Sequence, residues 1–431
     1  MDRIAVDQID GNGIYCSRLA AGGPFVFMAS VSVGNNGTFS EDAIVPPPYH
    51  LSPSAQVRYQ TQSIWDRYRL GLDKLGSSCN DVVQVEQYIS QKAHADGYLE
   101  VSRGPGFMER GRPGSALICT GDFAPAGCVV NPTGIAVIPQ EGYEKKIGGV
   151  GDQDPGKRPE FGEAYAEEPV YNEIVTAGDY VFTVGDWSSD YKTGIRPDVK
   201  ADHWIWWGNE VRNEANFNLR TLSARLESAG TSLANAAHCT VFLVDLADLY
   251  EVDLVWQKFF PKDPPARTVI PIRGLGTPRA EGPRTHAEGA MKMESMFQTF
   301  RPGPDTPREI IGGNSRILGH ESEAVRAGQL LWTSGIIAGS GDGLVTSKDT
   351  PSQLSYIFAR LREVCEAGGT SIDHLLRLRA YVTDPNDTFA IYAALKQAVP
   401  SDPPCVCITG VPGPLQVPGA SVIIDGVAYV P

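Results

Sequence analysis

The strongest constraint on how this chain can fold is a sequence unit that occurs three times. Each copy begins with an apolar run, at residues 25–28, 180–183 and 330–333, and each run starts two residues after a glycine. A second run of mainly apolar residues comes later in each copy, at residues 82–85, 239–244 and 376–382. Short apolar runs bounded by turn residues are typical of buried strands. Each copy is therefore predicted to contain a sheet.

Between these two runs each copy contains a predicted amphipathic helix. Its apolar residues recur at helical spacing, and they are Ile64, Tyr68, Leu72, Leu219, Leu222, Leu226, Ile357, Leu361 and Val364. Gly76, Gly230 and Gly369 follow the helices, and glycine readily takes the left-handed conformation that ends a helix. These glycines lie roughly 140 to 155 residues apart, which is the size of one small domain.

The order of elements predicts an α+β fold in each copy. The order is strand, strand, helix, strand, helix, strand, strand, with the helices on one face of the sheet. A chain of 431 residues has room for three such domains. Two stretches rich in Gly, Pro and charge are predicted to be linkers. The predicted organisation is domain 1 at 1–140, a linker at 141–168, domain 2 at 169–300, a linker at 301–315 and domain 3 at 316–431.

The charge of the chain limits its partners. Its formal net charge is −14, whereas nucleic-acid binding depends on clustered Lys and Arg. The sequence starts without an apolar signal core, and no segment is apolar for long enough to span a bilayer. We therefore expect a cytoplasmic protein that binds neither nucleic acid nor membrane. The eight cysteines lack the spacing of a disulfide framework or a metal site, so we expect buried thiols and no metal.

The second copy carries the most specific motifs. They lie at residues 171–179, 229–233, 259–268 and 287–290, and they include Tyr171, Arg267 and Glu288. With these segments the second copy resembles the Rid family, also called YjgF or L-PSP. The resemblance is good in the third copy and faint in the first outside its helix. It implies chorismate-mutase-like domains, which in this family form homotrimers with a site in each cleft between neighbours. For this chain it implies three Rid-like domains packed as an intramolecular pseudo-trimer.

The resemblance also implies a chemistry, the hydrolysis of enamines and imines to ketoacids and ammonia. By this resemblance Arg267 binds the substrate carboxylate, Glu288 handles water and protons, and Tyr171 lines the pocket. Gly185 keeps the glycine of the family's Ser-Gly turn, while Val184 replaces the serine. Asp253 stands where the family usually has an asparagine. These two departures indicate a substrate that differs from the family's ordinary small ones.

The residue types support these roles independently. The planar guanidinium of Arg267 can bind a carboxylate through two parallel hydrogen bonds. A glutamate on a nearby apolar strand can activate water and return a proton to nitrogen. The structural alternative is that Arg267 is a loop arginine paired with a neighbouring acid. On the predicted strand His286 faces the same side as Glu288, so the two could share protons, or His286 could face outward at a sheet edge.

An aromatic segment in the second copy is a further candidate for the site. It contains Trp204, Trp206 and Trp207, which either pack in a core or form a flat apolar wall of a pocket. In the second case Asp186 and its neighbour Trp187 join the wall, and the substrate is larger and more aromatic than a simple enamine acid.

The other two copies lack the implied site residues. At the position of Arg267 the first copy has Ser115 and the third has Val406, and at the expected position of the glutamate they have Thr133 and Asp425. We therefore expect one family-like cleft and two altered ones. The sequence leaves open which neighbouring copy completes the cleft.

These observations predict a cofactor-independent hydrolase of the enamine or imine deaminase type, acting on a small-molecule, carboxylate-bearing unsaturated intermediate. If the aromatic segment forms a pocket wall, this intermediate is a bulky or aromatic one of a specialised pathway. No nucleotide-binding glycine loop or hydrolase elbow is present in the required setting. Two alternatives remain open, a cyclase or decarboxylase on the same scaffold and a non-catalytic binding protein. An endoribonuclease, a third alternative, conflicts with the acidic charge. Whether pseudo-trimers pair into homodimers is also open.

Overall fold

A computed structural model describes most of the chain. The described residues are 3–29, 31–108, 112–148, 171–189, 195–196, 198–200, 209–275, 291–303, 306–314, 319–340 and 342–431. They form one continuous mixed sheet of twenty strands, one separate pair of short strands and six α-helices. The architecture is therefore α+β, with more sheet than helix.

The first copy contains six strands and two helices. The strands are β1 (Ile4–Gly11), β2 (Ile14–Gly22), β3 (Phe25–Ala29), β4 (Val82–Ile89), β5 (Gly114–Cys119) and β6 (Val130–Val137). The helices are α1 (Pro53–Lys74) and α2 (Ala95–Ser102). Hydrogen bonding places the strands in the order β1-β2-β3-β6-β4-β5, and only the β4–β5 pair is parallel.

The second copy repeats this pattern. Its strands are β7 (Lys146–Gly148), β8 (Ile174–Ala177), β9 (Tyr180–Thr183), β10 (Ala236–Leu243), β11 (Ala266–Pro271), β12 (Gly274–Leu275) and β13 (Met293–Phe300). Its helices are α3 (Glu210–Ser228) and α4 (Leu249–Phe259). The strand order is β7-β8-β9-β13-β10-β11, which matches the first copy position by position.

The third copy has the same core arrangement. Its strands are β14 (Arg308–Asn314), β15 (Ser322–Ala327), β16 (Leu330–Thr333), β17 (Ile336–Ile337), β18 (Gly339–Ser340), β19 (Gly343–Leu344), β20 (Leu375–Val382), β21 (Cys405–Gly410) and β22 (Val422–Tyr429). Its helices are α5 (Thr350–Ala367) and α6 (Thr388–Ala398). The order of its six main strands is β14-β15-β16-β22-β20-β21.

Each copy has more strands than the five that the sequence predicts, and in each copy one additional strand comes first. β1, β7 and β14 pair with the strand that follows them. β7 and β14 lie within the stretches predicted to be linkers, where Gly, Pro and charged residues hide the apolar alternation of a strand. The two stretches therefore contribute to the sheets of the copies that follow them.

The three long helices end as their sequences predict, and each begins at a capping residue. Ser52, Asn209 and Asp349 cap α1, α3 and α5 by accepting a hydrogen bond from a backbone N–H in the first turn. The glycines beyond their ends, Gly76, Gly230 and Gly369, have positive φ angles. The nine apolar helix positions predicted to face the core are all buried. The eight cysteines are buried thiols, as predicted. None of the described helices has both the length and the apolar character of a membrane span.

Equivalent backbone hydrogen bonds join the copies to one another. Each donor lies six residues before a turn glycine, and each acceptor is the proline directly before β5, β11 or β21. The bonds run from Ser17 N to Pro404 O (2.9 Å), from Asn172 N to Pro113 O (3.3 Å) and from Ser322 N to Pro265 O (3.3 Å). The first copy thus contacts the third, the second contacts the first, and the third contacts the second.

A buried charge cluster lies where the three copies meet. The fifth residue is Glu86 in β4, Thr240 in β10 and Arg379 in β20. Nη1 of Arg379 donates to both carboxylate oxygens of Glu86 at 2.6 Å and to Oγ1 of Thr240 at 3.0 Å. Its other nitrogens donate to Asp425 at 2.7 and 2.8 Å. Burial raises the pKa of Asp425, but Arg379 outweighs burial and holds that pKa below its ordinary value.

Aromatic rings form the next layer of this meeting point. The seventh residues of the same strands are Tyr88, Phe242 and Tyr381. The ring centroid of Tyr88 lies 6.3 Å from that of Phe242 and 6.1 Å from that of Tyr381. The hydroxyls of Tyr88 and Tyr381 are hydrogen bonded at 3.0 Å. One apolar cluster includes residues of all three copies, while two others lie between the helices and sheet of the first and second copies.

The charge cluster can be tested by removing its cation. Arg379→Met leaves Asp425 buried without its arginine and leaves Glu86 only the more distant Arg377, at 3.9 Å. This change should lower the free energy of unfolding by about 3 to 5 kcal/mol. Urea denaturation measures this change. Arg360→Met is the control, because its pair with Glu323 is about one-third exposed and should contribute at most about 1 kcal/mol. Equal denaturation midpoints for the two variants would contradict the prediction.

Candidate functional site

A cavity of about 220 Å³ lies in the second copy, between the residues that follow β9 and helix α3. Gly185 and Asp186 form its floor, and Tyr171 and Trp187 form part of its wall. The side chains that α3 contributes are Phe217, Thr221 and Arg225. The cavity therefore brings aromatic surface and charged groups together, as ligand sites commonly do.

Gly185 sits at the boundary between the second and first copies. Its backbone N–H donates to the carbonyl oxygen of Ser115 at 3.1 Å. A Cβ added to Gly185 would overlap the carboxyl group of Glu294 and would lie 3.0 Å from the Cβ of Ala116. The absence of a side chain at Gly185 is therefore what allows the Glu294 carboxyl to lie against the cavity floor.

Glu294 is a buried carboxyl group in an unusual state. It is the second residue of β13 and is 4 % exposed. Within the described part of the chain its carboxyl has no hydrogen-bond partner. Burial, and then the nearby Asp186 carboxylate, raise its pKa from 4.5 to about 8. Glu294 therefore carries a proton at neutral pH, which is the state that a general acid requires.

Asp186 is a second buried carboxyl group at this site, and an arginine holds it ionised. Its Oδ1 accepts a hydrogen bond from Nη1 of Arg225. Nη2 of Arg225 lies 3.3 Å from Oε1 of Glu173. Burial raises the pKa of Asp186 to about 6, although Arg225 opposes that rise. Burial alone would lower the pKa of Arg225, but the two carboxylates hold it above its ordinary value.

Arg196 provides a cation with free hydrogen-bonding capacity at the cavity. Its guanidinium carbon lies 4.8 Å from the ring centroid of Phe217, and its Nε donates to Oδ1 of Asp198 at 3.0 Å. Among the described residues neither of its Nη groups has a hydrogen-bond partner. The side chain is 32 % exposed. Its outer edge can therefore bind a carboxylate that enters the cavity.

The structure brings together some of the residues that the sequence predicts for the site. Tyr171, Gly185 and Asp186 line one cavity. Arg267 does not line it, because Arg267 lies at the boundary with the third copy. There its backbone N–H donates to Oγ of Ser334 at 2.8 Å, and its carbonyl accepts from the N–H of Gly335 at 3.1 Å. The second copy thus contributes to two different clefts.

The guanidinium of Arg267 is occupied by carboxylates of the chain itself. Its Nη1 donates to Oδ1 of Asp253 at 2.6 Å, and its Nε and Nη2 donate to Oε2 of Glu321 at 3.1 and 2.9 Å. The ring of Trp256 covers it, with a cation-to-centroid distance of 4.7 Å. Glu321 lies seven residues before its turn glycine, as Tyr171 does in the second copy. The expected substrate carboxylate at Arg267 is thus replaced by a side chain, and Asp253 belongs to this cluster.

In β13 the strand position at which the family's glutamate is expected does not carry an acid. The fourth residue is Thr133 in β6, Asp425 in β22 and Met296 in β13. At this strand position β13 therefore carries Met296, whereas the residue that the sequence aligned with Thr133 and Asp425, Glu288, lies outside the described residues. The acid on β13 is Glu294. Glu288, His286, Trp204, Trp206 and Trp207 lie outside the described residues, so their predicted roles remain predictions.

Sequence analysis missed four residues of the site. Arg196, Phe217 and Arg225 belong to no motif, and nothing in the sequence brings them to Tyr171. Glu294 was detectable in principle, because aligning the last apolar strands of the three copies places an acid on β13. The third copy has Ile423 at the position of Glu294, which obscures that alignment.

Comparison with known proteins identifies the family. Residues 162–281 and 314–430 match the model of the family described as Endoribonuclease L-PSP. The two matches cover more than half of the chain, which therefore belongs to this family. The predicted resemblance to Rid, YjgF or L-PSP proteins is confirmed.

Individual relatives cover single copies or most of the chain. A RutC family protein of Pyrococcus horikoshii is 30% identical over 26% of this chain and 81% of its own length. The RutC family protein YjgH of Escherichia coli is 30% identical over 19% of this chain and 63% of its own length. The crystal structure of a chorismatase covers 81% of this chain and 93% of that chain, with 13% identity and a TM-score of 0.50. The last similarity extends the shared fold over most of the chain.

The close approach at Gly185 makes a specific prediction. Gly185→Ala should push the Glu294 carboxyl out of its position and lower the free energy of unfolding by about 1 to 3 kcal/mol. Gly148→Ala is the matched control, since an added Cβ there meets no atom within 4 Å. Chemical denaturation of both variants measures the difference. If Gly185→Ala were as stable as Gly148→Ala, the Glu294 carboxyl would not lie where we describe it.

The raised pKa of Glu294 predicts a pH dependence of stability. Between about pH 5 and pH 8 the folded chain keeps the proton on Glu294, whereas the unfolded chain releases it. Stability contributed by this group therefore falls as pH rises through that window. Glu294→Gln cannot titrate, so its melting temperature relative to the wild type should increase from pH 5 to pH 8.5. A difference that does not change with pH would contradict the raised pKa.

Proposed function

We propose that this chain is a cofactor-independent hydrolase that acts on a small carboxylate-bearing enamine or imine in the cavity beside Gly185. The observation that carries the proposal is Glu294, a buried and protonated carboxyl group lying against the cavity floor. Enamines and imines react by gaining a proton and then water, and a neutral carboxylic acid can supply the proton at pH 7. Membership of the L-PSP family agrees with this chemistry.

We further propose that the three copies form an intramolecular pseudo-trimer. Three observations support it: the common strand order, the three equivalent hydrogen bonds between copies and the meeting of equivalent positions at Glu86, Thr240 and Arg379. In this arrangement the cavity lies in the cleft between the second copy and the first. Ser115 occupies the position in that cleft where the family's arginine is expected.

Arg196 takes over the binding of the substrate carboxylate in this proposal. Its Nη groups can donate two parallel hydrogen bonds to a carboxylate, and Phe217 holds the guanidinium plane in place. Arg225 is less suited to this role, because Asp186 and Glu173 already accept from it. The cleft thus keeps a cation for the substrate although it lacks the family's arginine.

The proposed function is tested by ammonia release from 2-imino acids, which an amino-acid oxidase can generate in the assay. The spontaneous hydrolysis rate is subtracted. Glu294→Gln should lower kcat by about 10²- to 10⁴-fold, the contribution of general acid–base catalysis. Arg196→Lys should mainly raise KM, because lysine lacks the planar fork. Arg212→Lys is the control, since Arg212 pairs with Glu251 outside the cavity.

The outcomes separate an enzyme from a binding protein. No ammonia above the spontaneous rate with the wild type would exclude the hydrolase, and tight binding of a 2-oxo acid in the same samples would favour a non-catalytic binding protein. A Glu294→Gln variant with the wild-type rate would exclude Glu294 as the acid.

A second candidate is the hydrolysis of an enol ether, such as that of chorismate. The aromatic walls from Trp187 and Phe217 favour a cyclic substrate, and the fold is shared with a chorismatase. Protonation of the enol ether carbon by Glu294 would use the same neutral acid. Adding chorismate to the assay and measuring pyruvate distinguishes the two candidates.

A further inference from the structure

A second carboxyl group at the cavity, that of Asp186, differs from Glu294 in how it is held. Its backbone forms two hydrogen bonds with Ser295 on β13, at 2.7 and 3.0 Å. Nδ2 of Asn218 also donates to its carbonyl oxygen at 3.1 Å. These contacts from β13 and α3 fix the main chain at Asp186. The position of its side chain is therefore set by two elements and not by a flexible loop.

The two oxygens of the Asp186 carboxylate have different environments. Oδ1 accepts from Arg225, while Oδ2 is buried and has no hydrogen-bond partner among the described residues. A buried acceptor without a donor is unfavourable unless water or a ligand supplies one. Because Asp186 lines the cavity, the cavity is where that donor would come from.

The charged groups around Asp186 come from three elements. Arg225 on α3 faces it directly, Glu173 lies beyond Arg225 just before β8, and Glu294 approaches from β13. Tyr171, which is close enough to affect Arg225, and Arg196 are further ionisable groups of the cavity lining. Arg225 is thus the cation that keeps Asp186 ionised, whereas the described residues place no cation against Glu294.

We infer that Asp186 is the base that accepts a hydrogen bond and then a proton from the water that attacks the substrate, while Glu294 is the acid that protonates the substrate. This inference rests on the proposed hydrolase function and assigns a further catalytic residue to it. It divides acid and base between two carboxyl groups with different partners, a common way for an active site to hold both forms at one pH.

The steps balance with these two groups and water alone. Glu294 gives its proton to the enamine carbon, or to the imine nitrogen, and becomes a carboxylate. The water oxygen then bonds to the iminium carbon as its proton passes to Asp186, which gives a neutral carbinolamine. Asp186 returns that proton to the nitrogen. The carbon–nitrogen bond breaks, ammonia leaves, and the hydroxyl proton passes to Glu294 as the ketone forms.

The pKa values support the same division. The pKa of Asp186 is about 6 and that of Glu294 is about 8, so between these values the base is ionised and the acid is protonated. The rate should therefore rise with pH through about 6 and fall through about 8.

Asp186→Asn tests the inference with the full chain. Arg225 still requires an acceptor, so the asparagine should turn its Oδ1 toward Arg225 and place an NH₂ group where Oδ2 was. We expect kcat to fall by about 10²- to 10⁴-fold and the limb of the pH profile near 6 to disappear. The alkaline limb should remain but move to lower pH, because the Asp186 carboxylate no longer raises the pKa of Glu294. Glu251→Gln is the matched control, because it removes a carboxylate from another arginine pair, that of Arg212. A profile with both limbs in Asp186→Asn would overturn the inference.

A binding measurement makes the test independent of turnover. A 2-hydroxy acid places a hydroxyl where the attacking water would stand, and the matching 2-oxo acid does not. The wild type should bind the 2-hydroxy acid about tenfold more tightly, since a hydrogen bond to an ionised group is a strong one, and Asp186→Asn should lose this preference. An unchanged preference would overturn the role of Asp186. Absence of ammonia release from the wild type would instead overturn the hydrolase itself.

Discussion

The packing of the three copies against one another depends on the hydrogen bonds and ion pairs of the Arg379 guanidinium. This guanidinium neutralises Asp425 of its own copy and Glu86 of the first copy, and it also binds Thr240 of the second. A buried charge is tolerated only when it is paired, so the three side chains must be supplied together. If the copies were identical, three arginines or three glutamates would meet at this point and repel one another. The differences between the copies therefore specify how the three sheets join.

The same differences divide the chemistry between clefts. In the cleft that holds Arg267, the guanidinium donates from all three of its nitrogens to Asp253 and Glu321. The cleft that holds Tyr171 has lost the family's arginine and gained Arg196 and Arg225. The open cavity and the protonated Glu294 occur together in the second of these clefts, which makes it the better candidate for catalysis.

The sequence predicted most of the fold because the strands and helices of a repeated domain leave local patterns. Strands such as Tyr180–Thr183 are short, mainly apolar and buried, and the long helices end at glycines, so both can be predicted without tertiary information. β7 and β14 were missed because their stability comes from pairing with the next strand. The site was predicted only in part. Tyr171 and Gly185 lie 14 residues apart in sequence and share a cavity. One of the two carboxylate partners of Arg267, Glu321, lies in another copy, and the register that selects Glu294 depends on how β13 pairs with β10.

Glu321 has a consequence for what a fused chain can tolerate. In an assembly of three separate identical subunits, a glutamate at the position of Tyr171 would occur in every cleft. It would pair with the arginine of all three clefts at once. Here the three copies lie in one chain and can differ in sequence, so the glutamate at position 321 is confined to one cleft. Each boundary of a fused chain can therefore acquire its own side chains, such as the carboxylates around Arg267 at one boundary and Gly185 beside Ser115 at another.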